Sequence, residues 1–227
     1  MTEYRFKKEL KLVILDVDGT LYVQSVLRKI MRRKLLSYYM LRPWKIRELL
    51  VLYYFRKERE NKAGYQGTDL EQEQYVWAAA RTGRSVQSVK EIISYWIFTV
   101  PNPYLRQCMY SGLPAFFAAL RRKRIKIAIY SDYDSREKLK QMGLEADFQL
   151  SSTDPRVNCF KPSPKGLLVT LAEFNIRDKE NCLFIGDRME LDGECAAAAG
   201  VPFLLVEKGS EGTNFYNKLT SQLLLQD

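Results

Sequence analysis

The sequence predicts an α/β protein with a Rossmann-like parallel sheet core flanked by helices and an inserted all-helical cap domain. Two patterns lead to this prediction. From Leu113 onward, helical and strand patterns alternate, which is typical of a parallel sheet covered by helices. Between residues 22 and 107, apolar residues recur at helical spacing without a convincing strand. We therefore expect a core formed by residues 1–21 and 108–227 and a helical cap formed by residues 22–107.

The expected elements follow this division in order. A short buried strand at 11–15 begins the core. In the insertion, apolar residues from Leu27 to Leu35 indicate a first helix, and Pro43 breaks the run because proline removes a donor and clashes inside a helix. Further helices are predicted at 44–60, 69–82 and 86–99, with a turn from Gly64 to Gly67, before Pro101-Asn102-Pro103 closes the segment. The rest of the core is predicted to contain helices at 114–122, 135–142, 163–174 and 192–199, strands at 125–130, 147–151, 182–186 and 202–206, and a tail helix.

Composition is that of an ordinary globular protein, with 46% apolar and 28% charged residues in a chain of 227. The net charge of +9 is concentrated in one segment. Residues 26–59 hold eleven Lys and Arg against two Glu, and subtracting these from the totals of 36 and 27 leaves 25 of each sign elsewhere. The basicity therefore belongs to that segment and not to the whole protein.

Cysteine and histidine usage excludes some kinds of site. Four cysteines lack CxxC spacing and histidine is absent, so a zinc site and an imidazole base are not expected. No stretch approaches the roughly 18 to 20 apolar residues of a membrane span, and the N-terminal segment is too polar for a signal peptide. We therefore expect a soluble cytoplasmic protein with reduced thiols.

Four polar motifs follow apolar runs or lie in a rigid loop. They are Asp16-Val17-Asp18-Gly19-Thr20, Ser131, Lys161 in Phe160-Lys161-Pro162-Ser163-Pro164, and Gly186-Asp187 with Asp192 five residues later. Ligands of open parallel sheets bind at the carboxyl ends of the strands. The four motifs can therefore converge, and together they could hold a divalent cation and attack a phosphoryl group.

The residue types fit this chemistry, although each has a plainer alternative. Of Asp16 and Asp18, one carboxylate would act as nucleophile and the other as general acid and then base; the alternative is a solvated Asp-Gly turn. Paired acids also call for a cation, and Mg²⁺ prefers oxygen ligands. Ser131 could hold phosphoryl oxygens or cap a helix. Lys161 could neutralise the charge of nucleophile and phosphate, or be an ordinary surface lysine.

The last motif supplies two further carboxylates around a strand-to-helix turn. Asp187 is placed to bind a metal, and Asp192 is placed behind Asp187, where it could help to hold Asp187 in position. The alternative for Asp192 is helix capping and compensation of the helix dipole.

Taken together and in this order, the four motifs resemble those of the haloacid dehalogenase-like superfamily, over residues 11–20 and about 110–207. The resemblance implies that Asp16 is the nucleophile that forms an aspartyl-phosphate and that Asp18 is the acid and base. It implies that Ser131 binds phosphoryl oxygens and that Lys161 stabilises the charge.

The resemblance also implies a metal site and a subfamily. Mg²⁺ would be held by Asp16, the Asp18 carbonyl and Asp187, with Asp192 assisting. With an aspartate at position 18, the first motif resembles that of the family's phosphatases and phosphomutases rather than that of its dehalogenases. The insertion between the first two motifs resembles a type 1 (C1) helical cap, which closes over small phosphorylated metabolites, as in phosphoglycolate phosphatase-like members. Tyr22-Val23 and Asp132 differ from the residues that are commonest at these positions in the family. Neither is expected to contact the catalytic acids.

Three interpretations of the basic segment 26–59 stay open. It could be a solvated face of cap helices. Its cationic, aromatic-rich helices could bind nucleic acid or an anionic membrane surface. Or some of its arginines could face the site and attract a polyanionic substrate, the candidates being Arg28, Arg32, Arg33, Arg42 and Arg47.

The preferred function is a Mg²⁺-dependent phosphatase for a small phosphorylated metabolite. A phosphomutase, which returns the phosphoryl group to the substrate, is the close alternative. A binding protein that uses the basic cap on a scaffold core is the alternative from a different class.

Overall fold

The computed structural model describes residues 10–206 and 214–224. Five parallel strands form one sheet in the order β3-β2-β1-β4-β5. The strands are β1 (Leu12–Leu15), β2 (Lys126–Ser131), β3 (Phe148–Ser151), β4 (Cys182–Gly186) and β5 (Phe203–Leu205). The predicted α/β class and Rossmann-like parallel sheet are confirmed.

The segment inserted between β1 and β2 begins with a series of helices and adds no strand to this sheet. Its helices are α1 (Gln24–Met40), α2 (Glu48–Asn61), α3 (Leu70–Thr82), α4 (Val86–Ile93) and α5 (Leu105–Cys108). Three predicted boundaries are wrong. The second helix begins at Glu48, since Pro43–Lys45 forms a separate 3-10 turn, and α4 gives way at Ser94 to a π-type turn that ends at Thr99. Pro101-Asn102-Pro103 does not close the segment, because Asn102–Tyr104 forms a 3-10 turn that leads into α5.

The remaining helices cover the sheet. The first four lie within two residues of their predicted bounds, and the last is the tail helix, which was predicted without bounds. They are α6 (Leu113–Arg122), α7 (Arg136–Met142), α8 (Lys165–Glu173), α9 (Glu194–Ala199) and α10 (Phe215–Leu224). Gly143 and Gly200 end α7 and α9 in the left-handed conformation, which glycine adopts without strain. Among the described residues, no helix combines the length and apolar character needed to cross a membrane.

Alternate residues of β1 point to opposite faces of the sheet, as the two-residue period of a strand requires. Val13 and Leu15 pack in one cluster with residues of α6, α7 and α10, and Leu12 and Ile14 pack in a second with residues of α8 and α9. All four side chains are completely buried. β1 is therefore fixed on both faces and between two neighbouring strands, so the residues that follow it leave the sheet at a defined point.

Strand register places the ends of three strands side by side. Leu15 of β1 pairs with Ile129 of β2 and Ile185 of β4, and the backbone N–H of Asp16 donates to the carbonyl of Ile185 at 2.9 Å. Because the strands are parallel, the chain after each of them emerges at the same edge of the sheet.

The insertion has an apolar core of its own. Phe55, Tyr75, Val89, Ile93 and Trp96 are buried together between α2, α3, α4 and the π-type turn. The aromatic residues of the basic segment divide accordingly. Tyr39 and Phe55 are core residues, whereas Trp44 and Tyr53 are exposed.

The turn between α2 and α3 pairs with the core loop that precedes and includes Lys161. Gly64 N–H donates to the carbonyl of Lys161 at 3.0 Å, and the Phe160 N–H donates to the carbonyl of Tyr65 at 3.0 Å. Asn158 accepts from the N–H of Leu70 and donates to the carbonyl of Thr68, both at 3.0 Å. The predicted turn at Gly64–Gly67 is thus also a point of attachment between the insertion and the core.

We expect Asn158→Ala to lower the free energy of unfolding by about 1.5–3 kcal/mol. The substitution removes two hydrogen bonds. It also places alanine at a φ of 46°, which asparagine tolerates better than alanine does. Urea denaturation followed by circular dichroism measures the loss. The matched control is Asn175→Ala, at an exposed position with a φ of 52°. Equal losses for the two variants would show that the contacts of Asn158 with the insertion add no stability.

Candidate active site

The loop after β1 is closed by hydrogen bonds within itself. The N–H groups of Thr20 and Leu21 donate to the carbonyl of Val17, at 3.2 and 3.0 Å. The buried Thr20 hydroxyl donates to Oδ2 of Asp16 at 3.2 Å. Gly19 has a φ of +94°, a left-handed conformation that favours glycine. The loop is therefore an ordered turn that presents Asp16 from a buried position, and the interpretation of the Asp-Gly pair as a solvated turn is wrong.

Lys161 is buried at the centre of the site with 2% of its surface exposed. Its ammonium donates to Oδ1 of Asp16 and to Oδ1 of Asp192, each at 2.8 Å, and to the carbonyl of Tyr130 at 3.1 Å. These partners account for all three N–H bonds of the ammonium. Lys161 is therefore an interior cation and not the surface residue that its sequence position alone would favour.

Three carboxylates gather at this edge of the sheet. Asp16, Asp187 and Asp192 are buried and each offers an oxygen within 4.8 Å of the others. Asp192 has a second task, because its Oδ2 accepts the N–H groups of Asp187 and Arg188 at 3.2 and 3.1 Å and so shapes the loop that carries Asp187. A Cβ on Gly19 would lie 2.3 Å from Oδ2 of Asp187, so glycine is needed for this approach.

The cluster carries more negative than positive charge. Burial raises the pKa of Asp16 well above its usual value, Lys161 opposes this shift, and the carboxylates of Asp192 and Asp187 reinforce it. Burial alone would lower the pKa of Lys161, but Asp16 and Asp192 raise it well above its usual value, so Lys161 stays protonated. An additional cation would stabilise the ionised form of all three acids.

The donor set fits a magnesium ion. The candidate ligands are carboxylate oxygens, which Mg²⁺ prefers over nitrogen and sulfur. The four cysteines are all buried and free, and they lie outside this cluster. Both oxygens of Asp16 and both oxygens of Asp192 accept hydrogen bonds, so hydrogen bonding does not distinguish which of the three acids would bind the ion directly.

Asp18 lies apart from the three-acid cluster and has its own partners. Lys138 of α7 and the hydroxyl of Tyr22 both donate to its Oδ1, each at 2.5 Å. Burial acts to raise the pKa of Asp18, but the charge of Lys138 and the two hydrogen bonds outweigh it, so the pKa is lowered. The expectation that Tyr22 would not contact Asp16 or Asp18 is wrong, since its hydroxyl donates to Asp18.

Lys138 was missed by sequence reasoning, although one signal was present. It lies four residues before Met142 on a short helix whose inner face also carries Leu139, and all three side chains are buried. A charged residue on the inner face of a helix requires a partner. The sequence could not show that the partner is Asp18, 120 residues away.

Ser131 is buried at the end of β2, at the same edge of the sheet as Asp16. Its Oγ accepts from the N–H of Tyr133 at 3.5 Å. The alternative that it caps a helix is wrong, because the residue before α7 is Ser135. The Asp132 carboxylate accepts a hydrogen bond from the Ser152 hydroxyl at 3.1 Å.

The arginine at the boundary between insertion and core is Arg59. Its guanidinium donates to the carbonyl of Asp132 at 2.9 Å and to the side chain of Gln74. It also lies over the rings of Tyr133 and Phe160, at 4.1 and 4.2 Å from the centroids. The five arginines considered for substrate attraction, by contrast, are all exposed: Arg28, Arg32, Arg33, Arg42 and Arg47.

A cavity of about 400 Å³ opens beside this boundary. Residues of the insertion, including Gln74, Tyr75 and Phe98, line one side. The core lines the other side with Tyr133, Asp134, Arg136, Glu137 and Thr153. Asp16 and Asp18 do not line the cavity. It borders the chain just after Ser131, at the junction of insertion and core.

Comparison with known proteins agrees with this geometry. The family model described as haloacid dehalogenase-like hydrolase matches residues 10–200. The chain belongs to this family. No curated protein matches its sequence significantly.

Solved structures share the fold of the chain at low sequence identity. A 2-haloacid dehalogenase from Pseudomonas syringae pv. Tomato DC3000 superposes with a TM-score of 0.61 at 16% identity, covering 93% of this chain and 99% of that one. A predicted phosphoglycolate phosphatase from Haemophilus somnus 129pt gives 0.56 at 18% identity, covering 89% and 87%. A phosphonoacetaldehyde hydrolase-like protein from Oleispira antarctica gives 0.54 at 15% identity, covering 98% and 87%. These likenesses concern the fold, and the identities are too low to carry a substrate across.

We expect Gly19→Ala to weaken Mg²⁺ binding by roughly 10-fold or more, because the new methyl group displaces Asp187. Isothermal titration calorimetry with Mg²⁺ measures the affinity. Gly143→Ala is the matched control, since Gly143 has a φ of +70° but no atom within 4 Å of the added Cβ. Affinity equal to wild type in a folded Gly19→Ala protein would contradict the assignment of Asp187 to the metal.

Proposed function

We propose that this hydrolase is a Mg²⁺-dependent phosphatase that cleaves a small phosphorylated metabolite through a phospho-Asp16 intermediate. One observation carries the proposal. The buried Asp16 carboxylate is held by Lys161 next to two further acids, and Asp18 lies two residues away on the same turn with separate partners. The two aspartates therefore occupy different electrostatic environments, which suits them to different tasks.

In the first step, a carboxylate oxygen of Asp16 attacks phosphorus and the ester oxygen leaves as an alcohol, taking its proton from Asp18. Lys161 favours the ionised form of Asp16 and orients it through their 2.8 Å hydrogen bond. Ser131 is proposed to hold phosphoryl oxygens from the end of β2. When bound by Asp16, Asp187 and the Asp18 carbonyl, with Asp192 assisting, Mg²⁺ would offset the charge of the phosphoryl group.

In the second step, Asp18 takes a proton from water as the water oxygen attacks phosphorus, releasing phosphate and restoring Asp16. The contacts of Asp18 suit this base role, since Lys138 and Tyr22 favour its ionised form. For the first step Asp18 must carry a proton. The negative charge of a bound phosphate ester would favour that proton, because like charges nearby disfavour ionisation.

The insertion is proposed to act as the cap that covers this site. Its attachment to the loop of Lys161 and the packing of Arg59 against Tyr133 and Phe160 support this role. Closing such a site excludes water from the reacting groups. The preference for a small metabolite rests on this enclosure.

We expect Asp16→Asn to abolish Mg²⁺-dependent phosphate release while leaving the fold intact, because an amide is not a nucleophile. A panel of phosphorylated metabolites and an aryl phosphate, assayed by liberated phosphate, provides the measurement, with circular dichroism to check folding. Asp178→Asn, at an exposed carboxylate, is the control. Activity near wild type in the Asp16→Asn protein would reject the nucleophile, and isomerisation of a sugar phosphate without release would identify a mutase instead.

We expect Lys138→Met to move the acidic limb of the kcat–pH profile upward by about one unit or more. Lys138 lowers the pKa of Asp18, so without it Asp18 stays protonated to higher pH and cannot serve as base. Because metal and substrate are the same for the wild type and the variant, a difference between their kcat–pH profiles reports the effect of Lys138. Lys138→Arg should restore the profile, and Lys140→Met on the exposed face of α7 is the control. An unchanged limb would show that Lys138 does not control Asp18.

A further inference from the structure

The turn that joins α1 to α2 exposes an unusual concentration of large apolar side chains. We call residues 40–47, Met40-Leu41-Arg42-Pro43-Trp44-Lys45-Ile46-Arg47, the cap tip. Four of its side chains are largely in solvent: Met40 at 75% exposed, Leu41 and Trp44 at 74%, and Ile46 at 54%. Single exposed apolar residues are ordinary, but four within seven positions indicate a contact surface.

The charge around the cap tip has one sign. From Gln24 to Arg47 the chain contains no acidic residue, and the cap tip itself adds Arg42, Lys45 and Arg47. The first acid in sequence is Glu48, which accepts from the Tyr39 hydroxyl at 3.2 Å and lies 4.0 Å from Lys45. The protruding apolar side chains are therefore surrounded by cations.

The cap tip is held in place by packing behind it. Arg42 lies over the ring of Tyr38 at 4.6 Å, and Lys45 donates to the Tyr38 hydroxyl at 3.5 Å. Tyr38 in turn packs edge-on against Trp96, 5.0 Å between centroids, in the apolar core of the insertion. A 3-10 turn that begins at Pro43 presents Trp44 outward. The exposed side chains are thus displayed by a fixed scaffold.

A cavity of about 230 Å³ lies directly beside these residues. Lys34, Ser37 and Arg42 supply cationic and hydroxyl groups to its wall, and Leu41 borders it. These groups suit a phosphate ester at the boundary between water and hydrocarbon.

We propose that the cap tip docks the protein on the surface of an anionic phospholipid bilayer. Trp44, Leu41, Met40 and Ile46 enter the interface, where tryptophan and aliphatic side chains are favoured. Arg42, Lys45 and Arg47 are drawn to the lipid phosphates. The cavity beside Lys34 and Arg42 receives one headgroup.

Two other occupants fit less well. A second copy of the chain docked by the same face would set Arg42, Lys45 and Arg47 against themselves, because a two-fold interface pairs a patch with itself. Nucleic acid would satisfy the cations, but three of the four protruding apolar side chains are aliphatic and offer no ring on which a base could stack. A bilayer satisfies both the apolar and the cationic groups.

Docking leaves the catalytic edge accessible. The cap tip lies at the C-terminal end of α1, whose 17 residues span about 25 Å, while the opposite end of α1 begins two residues after Tyr22. The tip therefore acts as an attachment remote from Asp16 and Lys161. Substitutions in it should not alter hydrolysis of a soluble substrate.

The experiment is cosedimentation of the full chain with vesicles of phosphatidylcholine alone or mixed with phosphatidylserine, at low and high salt. We expect binding to the mixed vesicles that weakens with salt. Leu41→Ser with Trp44→Ser, and separately Arg42→Gln with Lys45→Gln and Arg47→Gln, should each reduce binding roughly 10-fold or more. Tryptophan emission should shift to the blue on binding, and Trp44→Phe should remove that shift.

Matched variants control for hydrophobicity and net charge. Val76→Ser with Leu168→Ser removes two exposed apolar groups elsewhere, and Lys140→Gln with Arg177→Gln and Lys179→Gln removes three exposed charges elsewhere. Both should bind like wild type, and all variants should keep the wild-type circular dichroism spectrum and basal activity.

Several results would overturn the proposal. These are failure of the wild-type chain to bind anionic vesicles, equal binding by the cap-tip variants and their controls, and capture of single-stranded DNA or RNA without vesicle binding. Self-association that the cap-tip variants abolish, again without vesicle binding, would assign the surface to a second copy instead.

Discussion

The buried ammonium of Lys161 is the interaction on which the rest of the site depends. It joins carboxylates from two loops that are far apart in sequence, Asp16 after β1 and Asp192 after β4, while its backbone carbonyl accepts from Gly64 of the insertion. A charge taken out of water is costly unless its hydrogen bonds are complete. Lys161 meets that condition, and loss of any one partner would leave a charge buried beside unmatched groups. Lys161 therefore contacts the sheet, the insertion and the acidic cluster at once.

The convergence of Asp16 and Asp187 could be predicted from sequence because both residues directly follow neighbouring parallel strands in register. Lys161 lies in a loop ten residues after the end of β3, so strand register alone does not place it. A strand that ends in a carboxylate places it at the same edge as its neighbours, whatever the separation along the chain. Lys138 and Tyr22 could not be found in this way, because their roles depend on where a helix and a turn pack against Asp18. The apolar faces of helices α6 to α9 allowed their bounds to be predicted to within two residues. The boundaries of the insertion shifted where Pro43 started a 3-10 turn and Ser94 a π-type turn, which hydrophobic periodicity does not record.

The difference between Asp16 and Asp18 shows how one short turn can contain two chemical environments. Asp16 faces the interior, where burial and neighbouring acids raise its pKa and only Lys161 opposes them. Asp18 faces α7, where Lys138 and Tyr22 hold its pKa low despite burial. Gly19 makes this separation possible, since its positive φ turns the chain and its missing Cβ admits Asp187. In the proposed mechanism, the turn thus separates a group that must be held ionised by cations from a group whose protonation must change during turnover.

The distribution of positive charge cannot be explained by the needs of this site. A phosphate-binding site requires cations near the acids, and there the chain supplies Lys161 and Lys138 from the core and, at the boundary, Arg59 from the insertion. Arg59 is engaged by Gln74, Asp132 and two rings, whereas the arginines that carry much of the excess charge are exposed on α1 and the turn after it. Exposed charges act beyond about 10 Å only weakly at physiological salt. The basic segment is therefore available for the membrane contact that we propose at its own surface, alongside apolar side chains that folding has left exposed.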